Sequence, residues 1–157
     1  MAKKSAASSE AVLRSILLVV SGVSDPTRNS GGWGYVTCDP NGVEQAGSGA
    51  AAQGSANRMA LMAAIEGLKS LGPEHHLTPV RVVSASRYLV GGAKMSRKRD
   101  ADADLWALLD TELKHRSVAW EWEPPDTLLY QSQAHDAARR AFRQALKHSI
   151  PPQPGSR

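Results

Sequence analysis

The chain has 157 residues, of which 41% are hydrophobic and 22% charged, and these values fit one soluble globular domain with a substantial core. Its formal net charge of +4 permits a polyanionic partner but does not require one. The longest strongly apolar run covers only residues 16–20, which excludes a membrane-spanning helix and argues against a membrane partner. The single cysteine, Cys38, cannot form an internal disulfide, so a reducing, cytoplasmic location is expected.

Changes in hydrophobic periodicity predict five strands and three main helices. A continuous apolar run at residues 16–20 is typical of a strand buried on both faces. Residues 33–38 and 42–50 form a predicted hairpin, because the Asp39-Pro40-Asn41-Gly42 sequence between them favours a turn. The rest of the pattern predicts, in order, a helix at 55–71, a strand at 80–83, a helical turn after Ser86, a helix at 104–115, a strand at 118–123 and a helix at 132–148. This order implies an α/β domain with a mixed sheet covered by helices.

The two ends of the chain differ in composition from the region between them. Residues 1–11 are rich in Lys, Ala and Ser and are predicted to form a flexible N-terminal tail. Residues 150–157 contain three prolines and a glycine, so a flexible Pro-rich C-terminal tail is expected there. One domain is therefore predicted between them, at residues 12–149.

Four short sequence words occur in an order and at spacings that point to one family. They are Gly31-Gly32-Trp33-Gly34-Tyr35, Asn57-Arg58-Met59-Ala60-Leu61-Met62-Ala63-Ala64-Ile65, Asp104-Leu105-Trp106 followed by Leu109-Asp110, and Trp120-Glu121-Trp122. With them the chain resembles bacterial ribonuclease HI over roughly residues 13–148, as a divergent member with a degenerate active site. The resemblance implies a ribonuclease H-like fold. In that fold, helices flank a five-stranded mixed sheet whose first three strands are antiparallel and whose fourth and fifth strands are parallel to the first.

The resemblance also implies where a metal site would be. Hydrolysis of a phosphodiester by two metal ions needs several carboxylates that converge on the ions. The family supplies four, from the first strand, the central helix, the end of the fourth strand and the start of the last helix. At the first three places this sequence has Ser21, Ala60 and Ala85, and only the fourth keeps an acid, Asp136. The family's histidine-bearing loop is replaced by residues 124–129, so we expect a protein without catalysis, metal or cofactor.

The acids near these places do not complete the set. Asp25 is expected beyond the end of the first strand and Asp39 in the hairpin turn, while Glu66 lies roughly 600° around the helix from Ala60. We interpret these three as solvated surface charges. Asp136 leaves two interpretations open, an acid that suits the positive end of a helix or a remnant of weak ion binding.

Candidate nucleic-acid contacts are carried over from the same resemblance. Ser55 and Asn57 match two places of a polar triplet that helps to hold the hybrid, whereas Ala56 departs from it. Asn29 matches a loop asparagine after the first strand, and Arg58 lies in the first turn of the central helix. A shortened basic protrusion supplies four further candidates for phosphate contacts: Lys94, Arg97, Lys98 and Arg99.

Structural alternatives remain open for several of these groups. Ser55 is also a typical helix N-cap. The basic protrusion is also typical of a solvated loop, since three acids follow it at once: Asp100, Asp102 and Asp104. A solvated face equally explains the basic stripe on the last helix, which consists of Arg139, Arg140, Arg143 and Lys147. The four tryptophans are interpreted as core anchors rather than base-stacking platforms.

Three functions remain open at this point. The first is a catalytically inactive ribonuclease H-like protein that binds an RNA/DNA hybrid or structured RNA. The second is a protein-interaction or scaffold subunit of a larger nucleic-acid assembly, with a protein partner on the former active-site face. The third is a residual metal-dependent ribonuclease with a repositioned site.

Overall fold

The computed structural model describes residues 14–149, so both predicted tails lie outside the described residues and the domain boundaries stay a prediction. The strands are β1 (Ile16–Asp25), β2 (Ser30–Cys38), β3 (Glu44–Ala51), β4 (Val80–Ser84) and β5 (Val118–Trp122). The helices are α1 (Ala56–Lys69), α2 (Arg87–Ala93), α3 (Ala103–Leu113) and α4 (Leu129–Ser149), with a short 3-10 helix at Pro73–His75.

The five strands form one mixed sheet in the order β3-β2-β1-β4-β5. β1 pairs antiparallel with β2, and β2 pairs antiparallel with β3. β1 also pairs parallel with β4, which pairs parallel with β5. This topology confirms the predicted ribonuclease H-like fold class.

β1 extends further than its apolar run predicted. Residues 17–20 pair with both β2 and β4, which explains why they are apolar on both faces. Residues 21–25 pair with β2 alone, because β4 ends at Ser84, opposite Val20. Only half-buried, this second part of the strand tolerates Ser and Gly. The expectation that Asp25 lies beyond the strand end was wrong, since Asp25 pairs with Ser30 as the last residue of β1.

Helices cover the sheet on both faces. On one face α1, α2 and α3 enclose the larger apolar cluster, which includes Leu18, Leu61 and Trp106. On the other face α4 packs over Val19, Val36 and Val83 through Ala134. α4 approaches closely because β2 contains Gly32 and Gly34, where a side chain would collide with the backbone oxygens of Ala138 and Ala134.

The tryptophans contribute to packing, as predicted. Trp106 and Trp120 are buried, and Trp33 and Trp122 are half-buried against the same cluster. Trp33 also stacks in parallel with Tyr35. Among residues 14–149, no helix combines the length and the apolarity that crossing a membrane requires.

Candidate functional site

A cleft of about 340 Å³ opens beyond the carboxyl end of β4. The sheet stops there on one side while β1 continues, so the helices of both faces border the same opening. Its walls come from β1 at Ser21, from the first turns of α1, from residues 84–86 and from α4. Openings outside the carboxyl ends of parallel strands are common ligand sites in α/β folds.

The three positions at which the sequence resemblance leads one to expect acids meet in this cleft. Ser21, Ala60 and Ala85 all line it. Ala60 is brought to Ser21 because the next residue of β1 is Gly22. A side chain at Gly22 would overlap the backbone nitrogen of Ala60, at 2.5 Å, and the Cβ atom of Met59, at 2.7 Å.

The fourth wall of the cleft holds His135, not Asp136. His135 lines the cleft, and its Nδ1 atom lies 3.2 Å from Ser21 Oγ, within hydrogen-bonding distance. Asp136 is exposed and is not among the lining residues. The structure thus places His135, the residue before Asp136, in the lining of the cleft, and the assignment of Asp136 to the fourth place stays a prediction.

The donor chemistry of the cleft does not fit a divalent metal. Mg²⁺ prefers hard oxygen ligands, above all carboxylates. Asp126 is the one acid among the lining residues, and its Oδ1 atom accepts a hydrogen bond from Ser132 Oγ at 3.2 Å. Within residues 14–149, no group of three or more His, Cys, Asp or Glu side chains is arranged to hold a metal ion. The acids Asp25, Asp39 and Glu66 lie outside the lining of the cleft.

The polar residues at the start of α1 have two different roles, since Ser55 caps the helix and Asn57 lines the cleft. Ser55 is the N-cap, with Oγ accepting a hydrogen bond from the backbone N–H of Arg58 at 3.1 Å. This confirms the capping interpretation of Ser55. Asn57 lines the cleft instead, and its Oδ1 atom accepts a hydrogen bond from Ser86 Oγ at 3.4 Å.

Arg58 is held by carboxylates and does not face the cleft. Its guanidinium makes two hydrogen bonds to Asp104, at 2.7 and 3.0 Å, and one to Asp102 at 3.1 Å. The bond from Arg58 lowers the pKa of the Asp104 carboxyl from 3.8 to about 2, and the same pair raises the pKa of Arg58. Tyr88 Oη donates to Asp102 as well, so this cluster, here called the α1–α3 clasp, ties α1, α2 and α3 together.

The predicted basic protrusion contributes three available cations. Arg99 is committed to Asp110 through two hydrogen bonds of 2.7 and 3.0 Å, and it lies over the Trp106 ring at 4.3 Å. Lys94, Arg97 and Lys98 are exposed and form no ion pair with any residue in the described range. The remaining predicted contact, Asn29, is exposed in the β1–β2 turn with φ of 46° and lies outside the lining of the cleft.

One cation beside the cleft was missed by the sequence reasoning. The Arg87 guanidinium lies over the Trp122 ring, 3.8 Å from its centroid. Trp122 Nε1 in turn donates to the carbonyl oxygen of Ala85 at 2.9 Å. Arg87 is exposed, so this stack holds a positive charge at the rim next to Ala85. The short word around Trp122 gave no signal for it, because the two side chains are 35 residues apart in the sequence.

Comparisons with known proteins agree with this geometry. A family model described as RNase H matches residues 14–125. The Ribonuclease H of Pseudomonas entomophila (strain L48) is 32% identical over 121 residues, which cover 69% of this chain and 79% of the relative. The Ribonuclease HI of Pseudomonas syringae pv. tomato is also 32% identical, over 122 residues that cover 69% of this chain and 78% of the relative.

Solved structures show the same fold. LC11-RNase H1 in complex with an RNA/DNA hybrid superimposes with a TM-score of 0.74 at 19% identity, covering 83% of this chain and 99% of that one. RNase H1 from the archaeon Halobacterium salinarum NRC-1 superimposes with a TM-score of 0.70 at 15% identity, covering 82% and 98%. The fold agrees with these structures, and the family model spans most of the described domain. The chain therefore belongs to the ribonuclease H family.

Proposed function

We propose that this protein binds an RNA/DNA hybrid or structured RNA in the cleft and does not hydrolyse it. One observation carries the proposal. The cleft lies where four elements converge beyond β4, and the residues that meet there are Ser21, Ala60, Ala85 and His135, none of them an acid.

Hydrolysis of a phosphodiester at neutral pH requires that charge on the attacking and leaving oxygens be stabilised. In two-metal enzymes the carboxylates hold the ions that do this. Two methyl groups, one hydroxyl and one imidazole cannot hold a pair of Mg²⁺ ions. The same substitutions remove the mutual repulsion of clustered carboxylates, so the fold keeps its cleft without needing an ion to neutralise it.

Exposed positive charge without a carboxylate partner favours a nucleic-acid partner over a protein scaffold partner. Among the exposed cations without a carboxylate partner in the described residues, Arg87 lies at the rim of the cleft, and Lys94, Arg97 and Lys98 lie in the predicted protrusion after α2. Each Lys or Arg that contacts a phosphate releases counterions and adds to a salt-dependent affinity. LC11-RNase H1, whose fold this chain shares, was solved bound to an RNA/DNA hybrid.

The test is a cleavage assay run beside a binding titration. The 157-residue chain is incubated with labelled RNA/DNA hybrid and with duplex RNA in Mg²⁺ or Mn²⁺, and the products are resolved on a gel. Binding is then measured by fluorescence anisotropy at two salt concentrations. We expect intact substrate and an affinity that falls as salt rises. Sustained cleavage by the purified protein would show a residual ribonuclease, and an absence of binding to either substrate would refute the proposal.

Charge-removal variants locate the contact. The variant Lys94→Gln/Arg97→Gln/Lys98→Gln should weaken binding and reduce the salt slope by about 0.9 for each phosphate contact that is lost. A control with the same change in charge is Arg14→Gln/Lys69→Gln/Lys114→Gln. Its three residues are exposed and lie outside the predicted basic protrusion. Equal losses in both variants would mean that the net charge, and not this surface, determines binding.

A further inference from the structure

We propose that the cleft holds a backbone phosphate of the nucleic acid directly, through hydroxyl, amide and imidazole groups, with no divalent cation between the protein and the phosphate. This inference rests on the proposed binding function. It goes further by naming the ligand group and by making affinity independent of the metal that this fold's hydrolytic members would use.

The Ser21–His135 pair offers a hydrogen-bond donor in every protonation state. If Nδ1 of His135 accepts the hydrogen bond from Ser21 Oγ at 3.2 Å, the other ring nitrogen, Nε2, carries its hydrogen and is a free donor. If Nδ1 is instead the donor, the Ser21 hydroxyl hydrogen is free. A protonated imidazole donates from both nitrogens. Nε2 makes no hydrogen bond to a residue in the described range, so an anion can reach it.

Asn57 adds an amide donor on the opposite wall. Its Oδ1 atom is occupied by the hydrogen bond from Ser86 Oγ at 3.4 Å, which orients the side-chain amide and leaves the NH₂ group without a partner among the described residues. Asn57 lies three residues before Ala60 on α1, so the two share one side of the helix. Hydroxyl, amide and imidazole donors therefore surround the methyl groups of Ala60 and Ala85.

A bare phosphate is favoured because Ser21, Ala60 and Ala85 carry no charge and only one lining residue is an acid. A cleft lined by several carboxylates would repel a phosphate unless metal ions lay between them. Here Asp126 is the single lining acid, and the stacked cation Arg87 lies next to Ala85 and offsets its charge. The same substitutions that remove the metal ligands thus allow the phosphate to approach the protein directly.

The experiment introduces three acids into the cleft and measures whether binding of the hybrid then requires Mg²⁺. Affinity for a short RNA/DNA hybrid is measured in EDTA and in Mg²⁺ for the wild-type protein and for Ser21→Asp/Ala60→Glu/Ala85→Asp. The wild type should bind equally well in both buffers. The restored variant should lose on the order of a hundredfold in EDTA at low salt, because each like charge at about 4 Å costs a factor of about five in water, and it should regain affinity in Mg²⁺.

A matched control carries the same three charges elsewhere. Ser117→Asp/Ala107→Glu/Ala46→Asp places acids at exposed positions outside the cleft, and it should show no Mg²⁺ dependence. Circular dichroism establishes that each variant is folded. Should the triple-acid variant fail to fold, Ser21→Ala and His135→Ala replace it, each expected to weaken binding in EDTA by about tenfold.

The outcomes separate the two proposals. Wild-type binding that requires Mg²⁺ would overturn the direct phosphate contact and leave the nucleic-acid function standing. The same holds if restored acids, or loss of Ser21 and His135, leave the affinity in EDTA unchanged. A wild-type protein that binds no hybrid or RNA in either buffer would refute the proposed function itself.

Discussion

The cleft and the α1–α3 clasp both include residues from the first turns of α1, but they differ in charge. The residues that α1 gives to the cleft are uncharged, whereas the residue that it gives to the clasp is a cation paired with two carboxylates. At the cleft, Ala60 presents a methyl group where a metal-binding acid would be expected. At the clasp, Arg58 is matched by Asp102 and Asp104 with hydrogen bonds as short as 2.7 Å. Charge is kept where the fold itself supplies the partner, and it is absent where only a bound ion could. The same short sequence word therefore supplies a methyl group to the cleft at Ala60 and a paired arginine to the clasp at Arg58.

The largest expected effect comes from a variant that disturbs the close packing of α1 against β1 beneath the cleft. Gly22→Ala should lower the free energy of unfolding by about 3 kcal/mol, because the new methyl group would overlap backbone atoms of α1 that lie 2.5 and 2.6 Å away. Urea denaturation measures the change. Gly42→Ala is the control, since no atom lies within 4 Å there and only its φ of 82° is unfavourable. That variant should lose about 1 kcal/mol. Similar losses at both positions would contradict the close contact.

The second prediction tests the clasp as a structural element. Arg58→Ala should lower the free energy of unfolding by about 2 kcal/mol, since it leaves the mostly buried Asp102 without its cation. Affinity for the hybrid should stay within about twofold, because Arg58 points away from the cleft. Denaturation and anisotropy on the same sample give both numbers. A loss of affinity without a loss of stability would restore Arg58 to the binding surface.

The third prediction is the reverse case, a variant that should lose affinity for the hybrid and keep its stability. Arg87→Ala should weaken hybrid binding by about fivefold and lower the salt slope by about 0.9, the contribution of one phosphate contact. Its stability should change by less than about 1 kcal/mol, the upper range for an exposed cation on an aromatic ring. Trp122→Phe is the companion variant. It removes the hydrogen bond to Ala85 and retains a ring for Arg87, so its affinity should fall less.

Much of the fold could be predicted from the sequence, because periodicity and turn residues act locally. The second half of β1 could not, since Ser21 to Asp25 pair with one neighbour only and carry no apolar run. The positions of Ser21, Ala60 and Ala85 could be predicted, because they lie in or directly after elements with a clear hydrophobic pattern. His135 was not singled out from the sequence, because the rotation of α4 is set by Ala134 and Ala138 against the glycines of β2. The spacing of four between Gln131 and His135, both in the cleft, was the available signal.

Long-range charge pairs were beyond sequence reasoning for another reason. Arg58 and its two partners are separated by 44 and 46 residues, so nothing in the local pattern distinguishes a committed arginine from a free one. The same applies to Arg99, which looked equivalent to Lys98 in the basic protrusion. Only the folded structure shows that the Arg99 guanidinium is hydrogen-bonded to Asp110.

The smallest expected effect is a pH dependence of the clasp. Because the folded pKa of Asp104 is lowered from 3.8 to about 2, its ion pair with Arg58 contributes fully above pH 3.8 and is lost as the pH falls through about 2. Asp104→Asn lacks this titration, so the difference in stability between wild type and variant should shrink between about pH 5 and about pH 2. Urea midpoints across that range measure it, with Glu112→Gln, on the same helix and without an ion pair in the described residues, as the control. A constant difference would mean that the clasp depends on shape and hydrogen bonding rather than on the charge of Asp104.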